Sequence, residues 1–256
     1  MTVVVSGLTA DVDRSRGRVV AGYLVTPVLL AVVLLALYLY VSRQNLDSIE
    51  ARLVAIDFIL QSTLRHVILT AVSTALVLII AVPVGIMLTR PFASRITTPA
   101  VAVFNIGQAV PSIGLLVLFA IGWGVGFWPA IVALVAYSAL PVLRNTMVGL
   151  TQVDSTYVES GRGMGMSKLG VLTRIELPLA VPVILTGLRT ALVINVGTAT
   201  LAALINAGGL GDIIIGGITT GRNLVLIVGS VLTAVLALLI DYLGRVAEAV
   251  LRPKGL

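Results

Sequence analysis

The chain has no cysteine, one histidine, two lysines and charged side chains at only 11% of its 256 positions. Each shortage excludes something. Without cysteine there are no disulfides and no thiolate metal sites, and His66 alone cannot build a histidine-rich one. Neither Lys168 nor Lys254 follows a glycine, so the phosphate-cradling Gly-x4-Gly-Lys-[Ser/Thr] loop does not occur and the chain does not split ATP by that route. Residues 208–217 are rich in glycine, yet Gly209-x-Gly211 lacks the third glycine and the preceding strand of a dinucleotide fingerprint. No catalytic residue, cofactor or metal is expected. A soluble domain has about a quarter of its residues charged. The deficit here, with a mean hydropathy of +1.11, excludes a water-soluble fold.

What is present is long uncharged runs. Residues 19–42, 67–89, 96–143, 190–211 and 223–240 hold no charged side chain. A helix needs roughly 20 apolar residues to cross the hydrocarbon core, so 96–143 is two spans and the total is about six. The turn between those two falls at 122–126, where Gly122, Gly124 and Gly126 loosen the helix and Trp123 and Trp128 suit an interface. The expected fold is an all-α, polytopic membrane protein. Its domains are an arm over 1–18, a first span over 19–42, an amphipathic segment over 43–65, a core over 66–245 and a tail over 246–256. The stretch ending in Arg14, Arg16 and Arg18 has the layout of a secretory signal. The apolar run after it is too long for one, however, and no Ala-x-Ala site follows. A retained span with a cytoplasmic amino terminus is expected.

Six spans with both termini inside place 13 basic residues on the cytoplasmic side and four outside, namely Arg43, Arg52, Arg65 and Arg222. That bias is the positive-inside rule, and it accounts for a pI near 10.2. The charges are dispersed across loops, which argues against a nucleic-acid surface. The chain is expected in the cell inner (plasma) membrane.

Leu46, Ile49, Leu53, Ile56, Leu60 and Leu64 recur at helical spacing among charged residues, which predicts an amphipathic helix over 46–64. It either lies along the outer surface or continues into span two. Span two covers 66–89 and stops at Arg90-Pro91, with His66 read as an interfacial polar residue. Spans three and four cover 98–121 and 127–149. Arg189 makes span five ambiguous, because an arginine deep in the bilayer is costly unless it snorkels or pairs. The spacing is read as an interfacial helix through Gly187 and a span over 188–206. Span six covers 223–244, with Asp241 solvated or ion-paired near its cytoplasmic end.

Prolines and polar residues interrupt the spans, among them Pro83 and Pro141. In lipid they must find partners or line a wet cavity; hydrogen bonding between helices explains any one of them equally well. Asn105, Gln108, Pro111, Ser112, Asn195 and Thr198 are the candidate pathway residues, and span three concentrates four of them within eight positions.

The longest hydrophilic stretch between spans is 150–180. Thr156 and Glu159 have capping-box spacing, Ser167 is placed to cap a second short helix, and Pro178 is placed to end it. Gly161, Gly163 and Gly165 narrow the turn between. A small helix-turn-helix projecting from the membrane is expected. Glu159, Gly165 six residues on, and Ile175-x-Leu177-Pro178 after nine more resemble the EAA loop of ABC importer permeases. This chain has Ser160-Gly161 where that family usually has Ala-Ala. Residues 137–150, 177–189 and the Gly-Gly-Leu-Gly-Asp of 208–212 are similar to permeases of osmoprotectant importers; the likeness covers about 60–245.

The resemblance implies a type I ABC importer permease-like fold and a loop that docks into a separate ATPase subunit. Glu159, Ser160, Gly161, Gly163, Gly165, Met166, Ile175, Leu177 and Pro178 would carry that coupling. It implies as partners two ATPase subunits, an extracytoplasmic solute-binding protein and a second permease subunit, identical or paralogous. It also implies uptake of glycine betaine, choline or carnitine, or else of another trimethylammonium or amino-acid-like solute. A secondary transporter would need acids in mid-span, and Asp241 is the one acid near a span interior. An assembly protein without transport is the other rival, and a copurifying ATPase partner would argue against it.

Overall fold

The computed structural model describes residues 24–251. The arm over 1–18, the start of the first span and the end of the tail lie outside the described residues. No strand occurs among those described; eleven α-helices do. They are α1 (Leu24–Ser42), α2 (Ser48–Leu53), α3 (Ile56–Leu88), α4 (Ser94–Ala109), α5 (Ser112–Trp123), α6 (Phe127–Thr151), α7 (Ser155–Gly163), α8 (Lys168–Val171), α9 (Leu177–Ala199), α10 (Gly211–Thr220) and α11 (Asn223–Leu251). Among them α1, α3, α6 and α11, together with the continuous stretch Lys168–Ile205, are long and apolar enough to span. The bent pair α4–α5 brings the total to six.

The segment over 43–65 divides at 54–55. Asp47 and Glu50 close a capping box at the start of α2: Asp47 Oδ1 accepts from the Glu50 N–H at 2.8 Å and Glu50 Oε2 from the Asp47 N–H at 3.1 Å. Val54 ends α2, Ala55 is extended, and 56–64 becomes the first turns of α3. The second of the two sequence readings therefore holds for that half. At 33 residues α3 is about 50 Å long, well beyond the roughly 30 Å hydrocarbon core.

Span three differs from its sequence reading. Pro111 lacks an N–H to continue the helix and pushes Val110 into extended geometry (φ −72°, ψ 133°). The run breaks there, and α4 and α5 meet at 97°. The glycine turn holds: Gly124 and Gly126 both take positive φ between α5 and α6.

The expected stop before Pro178 is also corrected. The helix runs on, through one π turn over Leu172–Glu176 in which the Leu177 N–H donates to the Leu172 carbonyl five residues back. The wider turn accommodates a proline that has no N–H to give. The helix therefore passes residue 188 without a break, running on from Lys168 to Ile205. Arg189 is tolerated because its Nε donates to Asp241 Oδ1 of α11 at 2.6 Å, and Asp241 also faces Arg245 at 3.4 Å.

α6 and α9 form the centre, with α3 against both. Close approach depends on small residues, as in membrane bundles generally. A Cβ on Gly187 of α9 would lie 2.6 Å from Asn145 Cβ of α6, and one on Gly107 of α4 would lie 2.4 Å from the Ala136 carbonyl. Leu69, Leu116, Ile131 and Leu134 fill one core cluster, and Val77, Leu140, Val142 and Leu143 the next along the bundle. A third joins α9, α10 and α11 through Val196, Leu210, Ile213 and Val228, with Leu37 and Val41 of α1 packed against it.

His66 is buried rather than interfacial. Its exposure is 0%, Nδ1 accepts from the Leu210 N–H at 3.2 Å, and Nε2 lies 2.9 Å from the Val196 carbonyl. A nitrogen that accepts carries no proton, so Nε2 bears the hydrogen and donates it. His66 thus pins α9 and the glycine-rich 206–212 segment to α3.

Candidate functional site

The hairpin expected over 150–180 stands out from one end of the bundle. Asp154, not Thr156, caps α7: its Oδ1 accepts from the Thr156 N–H at 2.8 Å. That backbone hydrogen bond holds the Asp154 carboxyl below its ordinary range. An aspartate one residue before the helix is a ready acceptor for its free N–H groups. Glu159 then lies in mid-helix and is exposed.

α7 turns into α8 through Met164 and Gly165, whose φ of +82° favours glycine. The Met166 N–H donates to the Gly161 carbonyl at 3.1 Å, and Ser167 caps α8 by accepting from the Gly170 N–H at 3.1 Å. Gly161 is buried. A Cβ there would lie 2.5 Å from Ile175 Cδ1 and 3.3 Å from Met166 Sδ. These three therefore form the hairpin's own small core with Val171, which explains why only a small residue suits position 161. Leu177 packs at the base against the cluster of Leu150, Ala180 and Ile184, with Pro178 exposed beside it. Glu159, Ser160, Gly163 and Gly165 are at the surface.

Sequence reasoning missed the hairpin's largest exposed apolar side chains. Tyr157, Met164 and Leu169 are 58%, 74% and 68% exposed. Their signal was present, as apolar residues in a hydrophilic loop too short to cover them. Behind the hairpin, buried Glu176 pairs with Arg90 at the end of α3.

The candidate pathway residues fall into two groups. Asn105, Gln108, Pro111 and Ser112 gather at the α4–α5 bend, none of them buried, and Asn105 Oδ1 accepts from Arg144 Nη2 at 2.7 Å. Asn195 and Thr198 are buried in α9. Asn195 Nδ2 donates to Thr74 Oγ1 of α3 at 2.9 Å, while its Oδ1 has no partner. Thr70 and Ser73 continue this polar seam between α3 and α9, and sequence reasoning had not singled them out. At the other end of the bundle, Gly208, Gly209 and Asp212 line a cavity of about 540 Å³ with Arg65 and Phe58.

Residues 81–253 match the family described as binding-protein-dependent transport system inner membrane components. The chain belongs to that family. It is a transmembrane permease subunit of an ABC importer. The choline transport system permease protein OpuBB of Bacillus subtilis (strain 168) is 41% identical over 198 residues, 77% of this chain and 90% of the relative. The osmoprotectant import permease protein OsmY of Salmonella typhimurium (strain LT2) is 40% identical over 212 residues, 83% and 89%. The carnitine transport permease protein OpuCD of Listeria monocytogenes (strain 10403S) is 37% identical over 198 residues, 77% and 88%. Among solved structures, the MetNI methionine ABC transporter in inward-facing conformations aligns with a TM-score of 0.68 at 25% identity. It covers 76% of this permease and 96% of that chain.

Proposed function

We propose that this permease imports quaternary ammonium osmoprotectants such as glycine betaine, choline or carnitine, driven by a separate ATPase subunit that grips the α7–α8 hairpin. The observation that carries the coupling is the hairpin itself: a compact knob with a private core and three uncovered apolar side chains, Tyr157, Met164 and Leu169, fit for a cleft in another protein. Glu159, Ser160, Gly163 and Gly165 surround them at the surface. Gly161, Met166, Ile175, Leu177 and Pro178 hold the knob together and join it to α9.

In this reading the hairpin end and both termini face the cytoplasm, and an extracytoplasmic solute-binding protein docks at the opposite end. A second permease subunit, identical or paralogous, completes the pathway. The relatives named for choline, carnitine and osmoprotectant transport support the substrate class. So does the cavity at the far end, where Arg65 and Asp212 offer both charge signs. ATP-driven closure of the ATPases moves the hairpins and rocks the bundles between inward- and outward-open states; the difference in contact between those states supplies the bias. The bend carrying Asn105, Gln108, Pro111 and Ser112 lines the route, and the seam holding Asn195 and Thr198 parts as it opens.

Gly163 gives the sharpest test. It has helical geometry, and a Cβ added there meets nothing of this chain within 4 Å. Gly163→Tyr therefore leaves insertion and melting temperature unchanged while abolishing uptake and ATPase copurification. Uptake of labelled glycine betaine or choline at the wild-type rate in that variant would sink the docking assignment.

A further inference from the structure

The hairpin end holds a second feature, which borders the proposed docking surface at Leu169. Between the last turn of α3, the Arg90–Phe92 corner and the hairpin lies a cavity of about 400 Å³. One side of it is basic, with Arg90, Arg162 and Lys168. Glu176 is the one carboxylate on its wall, buried and already paired with Arg90. That pair uses a single Nη of Arg90, whose Nε is buried with no partner. Among the described residues Arg162 and Lys168 make no ion pair. The cavity thus sets three cations against one carboxylate. Its other side is apolar and uncovered: Met87, Phe92 and Leu169 are 52%, 74% and 68% exposed.

We propose that this cleft binds an anionic glycerophospholipid. The phosphodiester takes the exposed cations of Arg162 and Lys168 beside Arg90, and the acyl chains run along Met87 and Phe92. A group placed here must satisfy cations and bare hydrocarbon together, at the depth where a spanning helix ends. Basic pockets beside membrane helices meet lipid head groups in this way. The assignment needs only that this end lies at a bilayer surface, so it stands whichever way the chain faces. Its occupant clamps α8 to the end of α3, and so ties the hairpin to the composition of the membrane.

The test uses the full chain, purified in mild detergent, delipidated and titrated with phosphatidylglycerol or phosphatidylcholine while native mass spectrometry counts bound lipid. Phosphatidylglycerol is retained and phosphatidylcholine is not. The double variant R162Q/K168Q, altered only at exposed side chains, binds phosphatidylglycerol at least about tenfold more weakly. Phe92→Ser, which changes no charge, also weakens it. Arg174→Gln removes an exposed charge from the same loop but outside the cleft and leaves binding unchanged. Equal loss in Arg174→Gln, equal retention of phosphatidylcholine, or displacement by millimolar inorganic phosphate overturns the lipid assignment. Unchanged lipid binding in the double variant with weaker ATPase capture overturns it too, and gives the cleft to the ATPase. Because no transport is measured, failure here leaves the Gly163→Tyr test untouched.

Discussion

Arg189 and Asp241 illustrate what a bilayer does to a charged residue. Their 2.6 Å contact joins α9 to α11 with both side chains only partly exposed. Taking one charge away leaves the other without its partner, whereas taking both removes the problem. Asp241→Leu alone is therefore expected to lower the melting temperature of the purified permease more than R189L/D241L. A double variant as unstable as the single one would assign the contact no net role. The sequence raised the right question at Arg189 but answered it with a shorter span, because the partner is 52 positions away and no local pattern points to it. His66 was misjudged for the same reason: its two hydrogen-bond partners, Val196 and Leu210, are remote in the chain. Asp241 was legible as a solvated or ion-paired residue because it falls near the end of its span, and the structure shows the ion-paired alternative.

At the scale of elements, uncharged runs and helix punctuation marked where apolar helices lie, since desolvation acts on every residue of a run. The expected 127–149 meets α6 (Phe127–Thr151) at both ends, whereas α3 and the Lys168–Ile205 stretch begin well before the expected 66 and 188. Misjudged elements are those where a proline has two possible outcomes. Pro111 breaks a helix and Pro178 is absorbed by a π turn; both follow from the missing N–H, and packing decides between them. The hairpin was legible as an element and as an EAA-like loop. Its cap was misassigned by two residues because Asp154 and Thr156 are both good caps. The Asp154 cap has a pH signature. Its carboxyl is held low by the Thr156 N–H, so the stabilisation is fully present above the ordinary aspartate value, about 3.9. It is lost as pH falls through the lower folded value. Protection factors of the amides over 155–163, that is, exchange relative to the intrinsic rate at each pH, are expected to fall on acidification through that window. Asp154→Asn, which still accepts the bond but does not titrate, should abolish the change; a persistent acid response in that variant would place its origin elsewhere.

For the whole molecule, the absence of cysteine makes orientation directly measurable, since any introduced thiol is the only one. Ser160→Cys at the hairpin surface and Asn206→Cys at the opposite end are both exposed. An impermeant maleimide applied to intact cells is expected to label position 206 and spare 160 until the cells are opened. The reverse pattern would invert the proposed topology and remove the hairpin from reach of a cytoplasmic ATPase.

The unbroken stretch Lys168–Ile205 gives that arrangement a mechanical meaning. At about 1.5 Å per residue it is a lever of roughly 50 Å or more. One arm ends in the hairpin and the other at the level where Asn195 and Val196 meet Thr74 and His66 of α3. A push on the short exposed arm reaches the far end of the bundle without crossing a loop. In the proposed coupling, the π turn over Leu172–Glu176 sits between the surface that a motor would hold and the part of the helix that meets α3, so any movement passed along the stretch must cross it.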